Sequence, residues 1–158
     1  MSARFAKIYS VVGALMLLEF LAQFYTIASS GFTTVAGQIA NSANGSETRS
    51  AVQEVDLFAA AHAVIGVFIV PLTILALIAL SWLARLPRRT RVLTSLLFLL
   101  WLFQFGLAFI GFAGIAPIAG LHGLNALALV GLGIYLVRRN WAFGGRGSAS
   151  TATLTAGH

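Results

Sequence analysis

Four stretches of this chain are long and apolar enough to cross a lipid bilayer, and they constrain its fold more than any motif does. A helix needs about 20 mostly apolar residues to span the hydrocarbon. Roughly 8–30, 56–84, 92–113 and 117–138 each supply them. The bilayer offers no water to unpaired backbone groups, so segments of this length take helical form. The expected fold is therefore all-α, an antiparallel bundle of four transmembrane helices within residues 1–140. An outer loop would cover about 30–54, and 141–158 would form a disordered tail. Composition agrees, since 59% of the 158 residues are hydrophobic and 9% charged, where a soluble domain is typically about 45–50% apolar. The first segment begins with Arg4 and Lys7, like a secretory leader. Its apolar run is long, broken by Glu19 and Gln23, and without a clean small-residue cleavage site, so it reads as a retained helix.

Charge sets the expected orientation. Of the ten cationic residues, Arg4, Lys7, Arg85, Arg88, Arg89, Arg91, Arg138, Arg139 and Arg146 would share one side, leaving Arg49 on the other. Glu47, Glu54 and Asp56 fall with Arg49 in or beside the outer loop. Cytoplasmic segments carry the excess of Lys and Arg, so both termini are expected inside. The Ala- and Gly-rich composition, with Lys7 as the single lysine, points to a bacterial plasma membrane. The net charge of +6 then follows from orientation and anionic lipid, and calls for no nucleic-acid partner. Trp82 and Trp141 suit an interfacial belt. The "NGS" at 44–46 reads as a turn, and His158 as part of the tail. The absence of cysteine excludes disulfides, Cys-ligated metals, iron–sulfur clusters and covalently attached haem.

The polar residues inside the spans carry the functional information. They are Glu19 and Gln23 in the first, His62 in the second, Gln104 in the third, and His122 with Asn125 in the fourth. Ionisable groups at such depth are costly and mark functional sites. His62 lies six residues past Asp56 and His122 five past Pro117. At about 1.5 Å per residue, both sit at similar depth near the outer surface, on helices running the same way. Gly66 and Ala126 each follow a histidine by four residues, on the same helical face. Small residues there make room for something flat, or serve ordinary helix packing. "EFLAQFYTIASSGF" and "WLFQFGLAFIGF" align at Gln23-Phe24 and Gln104-Phe105, so the chain reads as two copies of one hairpin. Each copy contributes one histidine.

A planar ligand with two axial positions suits such a pair, and haem b is that ligand. Facing helices of bundles commonly hold cofactors, and imidazole is a common axial ligand of iron. Zinc or copper would find two histidines without cysteine or carboxylate a poor site. The expected site is then His62 and His122 on iron, with Gly66, Ala126, Gln23, Gln104 and Asn125 around the cofactor. Asn125, one turn from His122, is a supporting group. In the competing reading the histidines only fasten helices, as in a cofactor-free structural or assembly subunit. A small transporter using Glu19 and the histidines as a polar path is a third reading, and would require a homo-oligomer. Glu19, with Gln23, Thr26 and Ser30, forms a stripe on one face. It serves either as a proton path or haem or quinone contact, or as a protonated carboxyl bonded to Gln23 or a neighbouring helix. Trp101 reads as packing, and Pro71 as a kink that shapes the pocket.

"QFGLAFIGFAGIAPIAGLHGLNALAL" resembles the third and fourth helices of one half of haem A synthase, and "FAAAHAVIGVFIVPLTILALIAL" is similar to the second. The layout also resembles small actinobacterial four-helix membrane proteins. The haem A synthase resemblance implies a haem-holding four-helix scaffold with His62 and His122 in the ligand positions. It departs from that family in having one bundle rather than two. Phe58 stands where the catalytic half carries a glutamate, and the outer-loop cysteines are missing. Electron transfer or haem handling, with a redox protein or quinone as partner, is therefore expected rather than oxidation of a haem methyl group.

Overall fold

The computed structural model describes residues 2–43, 57–113 and 115–143. The NGS turn, Glu47, Arg49, Glu54, Asp56, Arg146, His158 and most of the expected outer loop and tail lie outside the described residues. Every regular element described is helical: α1 (Ser2–Ala43), α2 (Leu57–Val64), a π turn (Ile65–Ile69), α3 (Val70–Leu83), α4 (Arg88–Phe112) and α5 (Ala116–Arg139). α2, the π turn and α3 follow one another without a break, so the elements make four helices long and apolar enough to cross a membrane. This is consistent with a multi-pass membrane protein.

α1 exceeds its expected length. It runs for 42 residues instead of ending near residue 30, and so takes in much of the segment expected to be loop. The Ser- and Thr-rich composition that suggests a loop is absorbed by the helix itself. Thr33 and Thr34 donate to the Ser30 carbonyl at 2.9 and 3.0 Å, and Ser42 donates to the Gln38 carbonyl at 2.9 Å. Hydroxyls that bond back one turn are satisfied without breaking the helix. Forty-two residues at about 1.5 Å each give a rod of about 63 Å, roughly twice the hydrocarbon thickness.

The helices pack α1 on α3, α3 on α4, α4 on α5 and α5 back on α1. Their shared core includes Tyr9, Met16, Phe20, Ile74, Leu77, Leu97, Leu129 and Leu136. Much of that core lies toward the end where α1 starts and α5 finishes. The same end is pinned by polar bonds: Tyr9 Oη pairs with Thr94 Oγ1 at 2.9 Å, and Ser10 Oγ donates to the Asn140 carbonyl at 2.9 Å. Thr90 Oγ1 donates to Asn140 Oδ1 at 3.3 Å. Between α1 and α5 the approach is close enough to favour glycine. A Cβ on Gly133 would lie 3.1 Å from Met16 Cε and 3.2 Å from both Leu17 and Phe20. All described Lys and Arg residues lie at this end. At the opposite end packing is sparse, for α2 packs on α1 and has no buried residue.

The turn from α3 to α4 is a Schellman close. Leu86 N donates to the Ser81 carbonyl and Arg85 N to the Trp82 carbonyl, both at 3.0 Å. The geometry places Arg85 at φ 52°, in the left-handed region where glycine is the usual occupant. Pro87 then opens α4, since proline cannot continue a helix. Arg85→Gly is expected to raise stability by about 0.5–1 kcal/mol, because relief of the Cβ clash outweighs the added freedom of the unfolded chain. Thermal unfolding in detergent would read it, and an unchanged or lower midpoint would count against the strain.

Candidate functional site

His62 on α2 and His122 on α5 lie close together, with ring centres 6.5 Å apart and planes inclined at 56°. Both rings are half-buried. Each is held by the same kind of bond. His62 Nδ1 lies 3.2 Å from the Gln23 carbonyl, and His122 Nδ1 lies 3.2 Å from the Gln104 carbonyl. A carbonyl can only accept, so each Nδ1 carries a proton, and Nε2 is the ring nitrogen left for a ligand. The sequence aligns Gln23 with Gln104, and these two positions supply the equivalent carbonyls.

These are the donors that a bis-histidine iron site uses. Two axial imidazoles on one iron have ring centres about 6 Å apart, from metal–nitrogen bonds of about 2 Å and about 1 Å from nitrogen to ring centre. An Nδ1–H···carbonyl bond behind a ligating imidazole fixes its tautomer and raises its basicity. Among the described residues no group of three or more His, Cys, Asp or Glu side chains could hold a bare metal ion. A ligand that brings its own equatorial donors suits two histidines better.

The expected neighbours divide by task. Gln23 Nε2 donates to the His62 carbonyl at 3.1 Å, so Gln23 grips α2 at two points around the imidazole. Gly66 lies against this grip, because a Cβ there would come 3.0 Å from Gln23 Oε1. Its small size thus accommodates the Gln23 amide. In the second hairpin Asn125 is buried, and Asn125 Nδ2 donates to the Leu100 carbonyl at 2.9 Å and to Gln104 Oε1 at 2.6 Å. Asn125 thereby fastens α5 to α4 next to the residue whose carbonyl holds His122. Ala126 is half-buried one turn beyond His122.

Two further residues emerge only in three dimensions. Val70 N donates to the Ile65 carbonyl, five residues back, which is the π register. In that register the Gly66 carbonyl would be paired with the N–H of residue 71, but Pro71 has none. Trp101 Nε1 fills the vacancy, donating to the Gly66 carbonyl at 2.8 Å. Pro71 and Trp101 are therefore one device, shaping the helix one turn below His62. The second residue is Thr73, whose Oγ1 donates to Glu19 Oε1 at 2.7 Å. The partner of Glu19 thus comes from a neighbouring helix, while its other oxygen is buried without a bond. Thr26 Oγ1 turns back onto the Ala22 and Gln23 carbonyls at 2.9 and 3.1 Å.

Compared with protein-family models, curated proteins and solved structures, the chain matches none.

Proposed function

We propose that this chain is a membrane cytochrome of the b type, a four-helix bundle of two related hairpins that holds one haem between His62 and His122. The observation that carries the reading is the matched pair of imidazoles, each bonded through Nδ1 to a carbonyl so that Nε2 is the nitrogen left to bind iron, with ring centres 6.5 Å apart. A haem held by His62 and His122 would supply one-electron redox chemistry rather than oxygen binding. The chain's own residues do the rest. Gln23 and Gln104 orient the rings, Asn125 locks the α4–α5 hairpin, and Trp101 with Pro71 sets the bend beneath His62.

Both termini lie in the cytoplasm of a bacterial plasma membrane, on the strength of the cations that gather at their end. The histidines then lie toward the outer face. A haem at one face cannot carry electrons across a bilayer alone, so a redox protein or a quinone is the partner, in electron transfer or haem handling.

The test is an absorption spectrum of the purified protein, air-oxidised and then reduced with dithionite. A Soret band with sharp reduced α and β bands is expected. A colourless preparation from haem-replete cells would overturn the reading. It would favour a cofactor-free structural or assembly subunit, the reading to which the close fit of Gly66 against Gln23 lends its weight.

A further inference from the structure

The cationic end of the molecule has a feature that the histidine site does not use. Gly131, Ile134, Tyr135, Arg138 and Arg139 line a shallow, open groove along α5. Their spacing puts them on one face of the helix. The groove changes character along its length, from apolar at Gly131 and Ile134 to cationic at Arg138 and Arg139. α4 contributes Arg89, whose guanidinium lies 5.9 Å from the centre of the Tyr135 ring, with that of Arg139 6.0 Å from the same centre. Two guanidiniums thus share one aromatic ring, and Arg138 lines the same groove.

No carboxylate answers these charges among the described residues. The one carboxylate side chain described is Glu19, which is bonded to Thr73 on α3. Nor can the cluster easily disperse at its backbone. Asn140, the residue after Arg139, is tied to Ser10 on α1 and Thr90 on α4, and Asn140 Nδ2 donates to the Leu136 carbonyl at 2.8 Å. Like charges anchored in this way call for an anion. Arginine's planar fork matches phosphate oxygens in pairs. The groove floor narrows the choice further. A Cβ added at Gly131 would meet nothing within 4 Å, leaving an open apolar trough leading away from the cations.

The geometry points to a seat for one anionic phospholipid, its phosphate between Arg89, Arg138 and Arg139 and an acyl chain along Gly131 and Ile134. Basic pockets between membrane helices bind lipid head groups in this manner. The site is independent of what the histidines hold.

Native mass spectrometry of the full-length protein in detergent, titrated with phosphatidylglycerol or with phosphatidylcholine of the same acyl chains, tests the seat. One phosphatidylglycerol is expected to stay bound while phosphatidylcholine is lost. The double variant Arg89→Gln/Arg139→Gln is expected to bind phosphatidylglycerol about thirtyfold more weakly, the effect of two interfacial cations. Arg91→Gln, on the same helix but with its guanidinium 4.3 Å from the centre of the Trp82 ring, should bind as the parent does. Gly131→Leu keeps all three guanidiniums, has space for its side chain, and should lose the lipid by filling the trough. Equal retention of the two lipids, or undiminished phosphatidylglycerol binding in the double variant or in Gly131→Leu, would overturn the proposal. Displacement of phosphatidylglycerol by millimolar inorganic phosphate would overturn it too, by showing that the cations select a free anion.

Discussion

Replacing either His62 or His122 with alanine is expected to reduce the Soret absorbance of the purified protein to background. On the proposed reading each substitution removes one of two bonds to the iron and opens a gap where a ring stood. Loss of a group that merely supports a ligand costs about 10–100-fold in metal affinity, and loss of the ligand itself costs more. Glycine variants separate ligation from folding. In His62→Gly and His122→Gly, added imidazole should restore the spectrum, because it refills the position of the lost ring. A His122→Ala protein that keeps the parent's reduced α and β bands would show that the iron is held elsewhere. The supporting groups should behave differently. Gly66→Ala would press on Gln23 Oε1, 3.0 Å from the new Cβ, and is expected to shift the bands or the midpoint potential while leaving pigment in place.

Trp101→Phe is expected to lower stability by about 1 kcal/mol, because it orphans the partly buried Gly66 carbonyl. The bond it removes, 2.8 Å long, exists because Pro71 withholds the N–H that the π register would otherwise supply. The two residues should therefore be strongly non-additive. Pro71→Ala restores an N–H that can reach the Gly66 carbonyl and so makes the indole dispensable. In the double variant, the cost of Trp101→Phe should largely vanish. A double-mutant cycle of unfolding in detergent reads this coupling directly. Additive losses would mean that Trp101 acts by packing against Phe98 and Phe105, on which it stacks at 5.4 and 5.8 Å, with its indole N–H irrelevant.

The four spans are legible in the sequence because hydrocarbon imposes one simple demand, sustained hydrophobicity over about 20 residues. The nearness of the two histidines is legible for a related reason: equal depth on parallel-running helices leaves few other arrangements. What the sequence hides is the part that passes through the backbone. Gln23 and Gln104 stand out as polar side chains, yet it is their carbonyls that hold the imidazoles, and every residue type has a carbonyl. Trp101 reads as packing because nothing near it in the chain reveals the vacant carbonyl thirty-five residues away. The far end of α1 reads as loop because Ser, Thr and Gly favour turns on average, whereas here the hydroxyls bond back along the helix.

The uneven distribution of packing along the long axis has a consequence for how the molecule opens. α2 buries no residue, whereas α3, continuous with it, buries Val70, Pro71, Ile74, Leu77 and Ser81. Local opening is easiest where few apolar contacts resist it. Amide exchange should therefore run down a gradient along this single rod, fast over 57–64 and slow over 70–83, with the π turn as the boundary between two cooperative units. His62 sits in the fast unit and His122 on a helix bound to α4. Anything that bridges the two rings thus fastens the first unit to open onto the remainder of the fold, and slows its exchange by mass action. The protein would then register occupancy of its histidine pair as a change in the lifetime of one short helix.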